Sequence, residues 1–167
     1  MNNHRPALWR TSLAALLVLL IPGTLHSQMK REGVEALARS ADVIAVGKVK
    51  SLKSEWAENK TRIVTYVTLA VGEYLKGGQA GGDVVTIATP GGEIDGVGEL
   101  YTHMPTFRQN EDVVVFLEKS QEGQYRVSGG SQGKYHIEVE PVSGQAVVAG
   151  KHTVNEFTRA VKMAVVE

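Results

Sequence analysis

A chain of 167 residues with 18 basic and 18 acidic side chains has no charge surplus with which to hold nucleic acid or an anionic lipid surface. It contains no cysteine, which excludes a disulfide framework, a thiol nucleophile, a thiolate metal site and a lipidated N-terminal cysteine.

Export is read from the first element. His4, Arg5 and Arg10 give a basic start, Leu13 to Ile21 is an unbroken apolar run, and Pro22-Gly23 breaks the helix before Thr24-Leu25-His26-Ser27. This is the pattern of a secretory signal peptide over residues 1–27, cleaved after Ser27. The apolar run is about half of the roughly 20 residues that a membrane-spanning helix needs, so no span is expected after cleavage. Removal takes away Arg5 and Arg10 and no acid, so 18 basic residues become 16 against 18 acidic ones. Residues 28–167 are the length of one ordinary domain.

Within that domain, Val34, Leu37 and Ala38 recur at helical spacing from Arg31 to Ser40, giving a short lead-in or lid helix outside the core. Asp42 to Trp56 reads as a long strand whose apolar phase is disturbed at Gly47, as a bulge there requires. After the turn Ala57-Glu58-Asn59-Lys60, the stretch Thr61 to Leu75 places Ile63, Val67, Leu69 and Val71 on one face. Arg62, Tyr66, Thr68 and Tyr74 fall on the other, the period of a second strand. Asn59-Lys60-Thr61 matches a glycosylation acceptor and is read here as an exposed turn. Gly77, Gly78, Gly81 and Gly82 form a flexible link to a third strand, Asp83 to Thr89, stopped by Pro90-Gly91-Gly92.

Gly91 to Gln109 shows no period and reads as a long irregular loop. Val113 to Leu117 is five apolar residues in a row, a strand covered on both faces. Tyr125-Arg126-Val127 follows a turn, and Gly129-Gly130-Ser131-Gln132-Gly133 leads to a strand with Tyr135, Ile137 and Val139 inward and His136 and Glu138 outward. The glycine segment fails as a phosphate-binding loop, since Ser128 stands where its opening glycine belongs and Tyr135 where its metal-binding hydroxyl belongs. Ala146-Val147-Val148 is a short last strand. Thr153-Val154-Asn155-Glu156 is a capping box opening a C-terminal helix over 153–166, with Val154, Phe157, Val161 and Val165 on one stripe. Short strands with helices only at the ends imply an all-β domain, a small antiparallel OB-like barrel.

Ser40-Ala41-Asp42-Val43-Ile44-Ala45-Val46-Gly47-Lys48-Val49, then Glu73-Tyr74-Leu75-Lys76-Gly77, then Val84-Val85-Thr86-Ile87-Ala88-Thr89-Pro90 resemble the OB fold of tissue inhibitors of metalloproteinases and netrin-like domains. The chain is also similar to uncharacterised exported bacterial proteins in its Thr89-Pro90-Gly91-Gly92 and Gly129-Gly130 to Gly133-Lys134 segments. The inhibitor resemblance implies a protease-binding module. Those inhibitors chelate the protease zinc through an N-terminal cysteine, which this chain lacks, so the fold would carry over without the mechanism.

Chemistry is sought first in the 91–109 loop, where Glu93, Asp95, Glu99 and His103 offer carboxylates and an imidazole. Their spacing matches no metal-ligand signature, so no metal or other cofactor is expected. His103, His136 and His152 read as surface histidines, and no Gly-x-Ser-x-Gly elbow accompanies Ser128 or Ser131. Trp56, Tyr66, Tyr74, Tyr101 and Phe107 offer aromatic surface without a basic stripe, which disfavours single-stranded nucleic acid. The sequence thus points to a non-enzymatic exported module. It would bind a protein, a secreted protease being one candidate, through Glu93, Asp95, Glu99, Tyr101, His103, Phe107 and Tyr66. A structural or carbohydrate-binding envelope protein is the alternative, and a metal-dependent hydrolase ranks behind both.

Overall fold

The computed structural model describes residues 33–58, 60–78, 83–150 and 152–166. The expected signal peptide and the glycines at 81 and 82 lie outside them. Residues 31–167 are one compact unit.

Two 14-residue strands, β1 (Val43–Trp56) and β2 (Ile63–Lys76), form the long hairpin that the sequence implies. They are followed by β3 (Val84–Pro90), a small hairpin of β4 (Gly92–Ile94) and β5 (Val97–Glu99), then β6 (Asp112–Lys119) and β7 (Tyr125–Val127). In the main sheet the order runs β1-β2-β3-β7-β6, and β6 returns to pair with β1. Five strands therefore close into a barrel. All these pairings are antiparallel except the closure of β3 on β7, a single parallel pair, Ile87 with Tyr125. The expected small all-β barrel is thus present, antiparallel but for this one junction.

The bulge expected at Gly47 is present, with its extra residue on the partner strand. Val46 opposes Glu73 and Gly47 opposes Val71, leaving Gly72 unmatched. Two further shifts occur, one leaving Leu75 unmatched and one leaving Lys50 unmatched. Three irregularities within one hairpin supply the bend and twist that closing a small barrel demands. Gly47 is required for a separate reason: a Cβ there would stand 2.3 Å from the Ala70 carbonyl oxygen.

The apolar run of β6 shows how the sequence builds two cores. Val113, Val115 and Leu117 point into the barrel with Ala45, Val49, Val67, Leu69 and Ile87. Val114 and Phe116, of opposite parity, point outward under two helices, α1 (Val34–Ser40) and α2 (Val154–Val166). Leu37 and Ala38 of α1 are fully buried there, so α1 is a core element and not a lid. A helix of two turns has little stability of its own. Its last carbonyls, Ala38 and Arg39, each accept a hydrogen bond from Lys76 Nζ at 2.9 Å.

The chain after β7 leaves the barrel. Gly129 and Gly130, at φ of 67° and 61°, reverse its course, and a 3₁₀ turn, Gly130–Gly133, delivers β8 (Lys134–Val139) to the lower half of the same β6 edge. Next come β9 (Ala146–Val148) and the two-residue β10 (His152–Thr153). Tyr135 packs between Phe116 and Phe157, with ring centroids at 5.7 and 4.9 Å, and burial raises its phenol pKa. Val139, expected inward, is 67% exposed, because β8 lies outside the barrel and its end overhangs the second core.

The capping box is formed as read. Glu156 N donates to Thr153 Oγ1 at 3.2 Å, while Thr153 N donates to Glu156 Oε2 at 3.0 Å. The Thr153 N–H, and after it the Thr153 hydroxyl, which donates to Glu156 Oε2 at 2.9 Å, hold the Glu156 carboxyl below its ordinary pKa. Along α2, Phe157, Thr158, Val161 and Ala164 are buried.

Candidate binding groove

The segment from Gly91 to Gln109 contains a hairpin where the sequence reads as irregular loop. Its two-residue tip is Asp95-Gly96, at φ of 50° and 79°, the left-handed conformations of the commonest tight hairpin turn. Gly92 lets this hairpin lie down on the β1–β2 ribbon: a Cβ there would be 2.3 Å from Thr65 Oγ1 and 2.5 Å from Ser54 Oγ. Those two hydroxyls are bonded to each other at 3.0 Å, and Thr65 Oγ1 donates to the Gly91 carbonyl at 2.6 Å.

Glu99 fastens the far side. Its Oε2 accepts from Ile63 N at 2.9 Å and from Tyr101 Oη at 3.3 Å, so the carboxylate caps the start of β2 and holds the Tyr101 ring. The segment's end is fastened by residues the sequence reading missed. Glu111 Oε1 lies 2.7 Å from Lys134 Nζ and accepts from Arg108 N at 2.9 Å, and its Oε2 lies 3.5 Å from His136 Nδ1. The Glu111 and Lys134 side chains are 8% and 13% exposed. Lys134 Nζ also donates to the Thr106 carbonyl and stands 4.8 Å from the centre of the Phe107 ring. The available signal was parity: Lys134 and His136 alternate on one face of β8, opposite Asp112–Val115.

Between these two fastenings lies a groove of about 580 Å³, floored by Ser54, Thr65 and Thr89 and walled by Leu52, Leu100, Tyr101 and Met104. The volume is in the range of small-ligand and side-chain pockets. Leu52, Tyr101 and Met104 are each about 40% exposed and Leu100 is 86% exposed, so the walls are apolar and open to solvent.

The sequence-selected residues divide over the molecule. Glu93, Glu99, Tyr101 and Phe107 line the groove, and Phe107, 9% exposed, is at the same time part of the barrel core. Asp95 is at the hairpin tip. His103, at φ of 66°, is used through its backbone: its carbonyl accepts from Ser131 N at 2.9 Å. Tyr66 is on the outer face of β2, in a separate cleft of about 500 Å³ with Tyr74, Tyr125, Thr86 and Lys119. There desolvation first, then Tyr125 and Asp83, raises the Tyr74 pKa.

Among the described residues no group of three or more His, Asp or Glu side chains is placed to hold a metal ion, and no helix is long and apolar enough to cross a membrane. The chain matches no protein-family model and no curated protein sequence.

Proposed function

We propose that the chain is an exported, non-enzymatic module that binds a protein partner in the groove beneath the 91–107 segment. The observation that carries this reading is an apolar groove on a rigid frame. Leu52, Leu100, Tyr101 and Met104 stay exposed, while the segment bearing three of them is fastened by Glu99 and by the Glu111–Lys134 pair. A pre-formed site loses little conformational freedom on binding, and exposed apolar side chains gathered at one place mark interaction surfaces. A secreted protease is one candidate partner. Any inhibition would act through surface contact, since the chain has no cysteine with which to imitate zinc chelation.

The test is affinity capture from the secreted and envelope fractions of the native host, with the wild-type chain beside a Leu100→Asp, Met104→Asp double variant. A partner held by the first and lost by the second supports the reading. Equal retention by both, or none by either, overturns it.

A glycan is the second reading, favoured by the cleft in which Tyr66, Tyr74 and Tyr125 meet. Tyrosine rings offer flat apolar faces with a polar tip, which suits sugar C–H surfaces. Binding on a glycan array that Tyr66→Ala abolishes would move the function there.

A further inference from the structure

Resting on the reading of the groove as a protein-binding site, we propose that its occupant is an extended peptide segment of the partner, added as a strand along the free edge of β1 from Ser51 to Trp56.

β1 has strand partners on both sides only over its first part. Its ladder with β6 ends at Lys48 opposite Asp112, and Val49 still exchanges backbone bonds with Asn110 and Glu111. From Ser51 to Trp56 the register with β2 runs without a shift, and no strand lies on the other side among the described residues. Six residues give about 20 Å of straight edge.

Backbone phase decides which groups are available. Ala57 N donates to the Arg62 carbonyl, so Glu55, Lys53 and Ser51, two apart along the strand, also turn their backbone groups toward β2. Leu52, Ser54 and Trp56 turn theirs outward. The same phase is marked at Lys50, whose carbonyl accepts from Gln109 Nε2 at 3.1 Å. Three N–H and three C=O groups in alternation form the template that strand addition uses.

The side chains of these three residues share the face opposite Val67, Thr65 and Ile63, which is the groove side, where Leu52 and Ser54 are part of the lining. A strand placed on this edge would turn every second side chain toward Leu52, Leu100 and Met104. The charged residues of the edge, Lys53 and Glu55, have the other parity and pair with each other at 2.6 Å. They flank the edge without crossing the groove.

Charge selects the occupant. The groove lining includes Glu93 and Glu99 and no lysine or arginine, so two copies docked edge to edge would bring like-charged walls together. An extended segment with apolar side chains at alternate positions, and a lysine or arginine at the Glu93 end, complements both features.

The experiment uses the full chain expressed with its own N-terminal segment, panned against a phage-displayed library of random dodecapeptides. The most enriched peptide is then synthesised with each backbone nitrogen methylated in turn. Strand addition predicts affinity at least tenfold weaker at every second position and little changed between, with slowed amide exchange at Leu52, Ser54 and Trp56. Leu52→Pro, which removes one of the outward N–H groups, should reduce affinity by a similar factor, and the methylation scan stands even if that variant does not fold. Methylation tolerated throughout, or losses without alternation, overturns strand addition. Failure to enrich any peptide, while a partner is still captured and lost with the Leu100→Asp, Met104→Asp variant, overturns it and leaves the groove reading standing. A concentration-dependent dimer broken by Leu52→Pro overturns it in favour of a second copy.

Discussion

The two ends of β1 belong to one strand and live under different rules. From Val43 to Val49 it is paired on both sides, and four of its seven residues are buried. From Lys50 to Trp56 it is paired on one side and none is buried. The first part supplies side chains to two cores at once, Val43, Ala45 and Val49 to the barrel and Ile44 to the helix-covered core. The second part supplies backbone groups and an open wall. The bulge at Lys50 sits at the change-over, so the device that bends the strand also releases its edge from β6. On the proposed reading of the groove, stability and recognition are separated along a single strand.

Perturbing the first part should be expensive. Phe116 opposes Ile44 and is fully buried against Tyr135, so Phe116→Ala should lower unfolding free energy by about 4 kcal/mol, read from chemical denaturation. A loss under about 1 kcal/mol would show that the helix-covered core is loosely packed. Gly47→Val drives a side chain into the Ala70 carbonyl and should cost about 3 kcal/mol. An unchanged denaturation midpoint would mean that the hairpin can part there freely.

The helix over that core gives a smaller handle. Thr153→Ala removes the hydroxyl half of the reciprocal cap and should cost about 1 kcal/mol. It should also return the Glu156 titration part of the way toward the ordinary carboxylate value, since the Thr153 N–H, the larger cause of the shift, stays in place, measurable by side-chain carbonyl NMR. Because the folded-state pKa of Glu156 is lowered, the stabilisation is full above the unfolded-state value. It fades as pH falls through the lower folded-state one, so α2 should fray on acidification in the wild type and show less of that pH dependence in the variant. The smallest effect belongs to the second part of β1. Leu52→Pro removes an outward N–H that has no strand partner among the described residues, and edge strands accept proline at such positions. Stability should change by less than about 1 kcal/mol. A larger loss would show that this edge is structural.

Much of this was legible because period-2 alternation survives in the sequence wherever one face is buried. Val113–Leu117 announced burial on both sides, and Ile63, Val67 and Leu69 announced the barrel face of β2. The same alternation had already put Tyr66 on the opposite face, so its separation from Glu99 and Tyr101 followed from parity. Shorter elements escaped. α1 is seven residues long, and whether Leu37 and Ala38 are buried depends on α2, distant in the chain, arriving above them. The β4–β5 hairpin has three residues per strand, too few to show a period, though Asp95-Gly96 was the signal of its turn. Glu111 was missed for another reason: parity put Lys134 and His136 on one face, but they meet it only because the glycine turn after β7 folds the chain back along β6.

That same turn leaves the barrel closed by very little. β7 is three residues long, and it meets β3 in one parallel pair, while every other junction of the barrel is a ladder of three pairs or more. With a single backbone pair, the seam between Ile87 and Tyr125 should be the first junction of the barrel to open in the native state, which amide exchange would show as weak protection at Tyr125. The tyrosine cleft straddles that seam, so its shape should vary more readily than that of the groove fastened by Glu99 and Glu111.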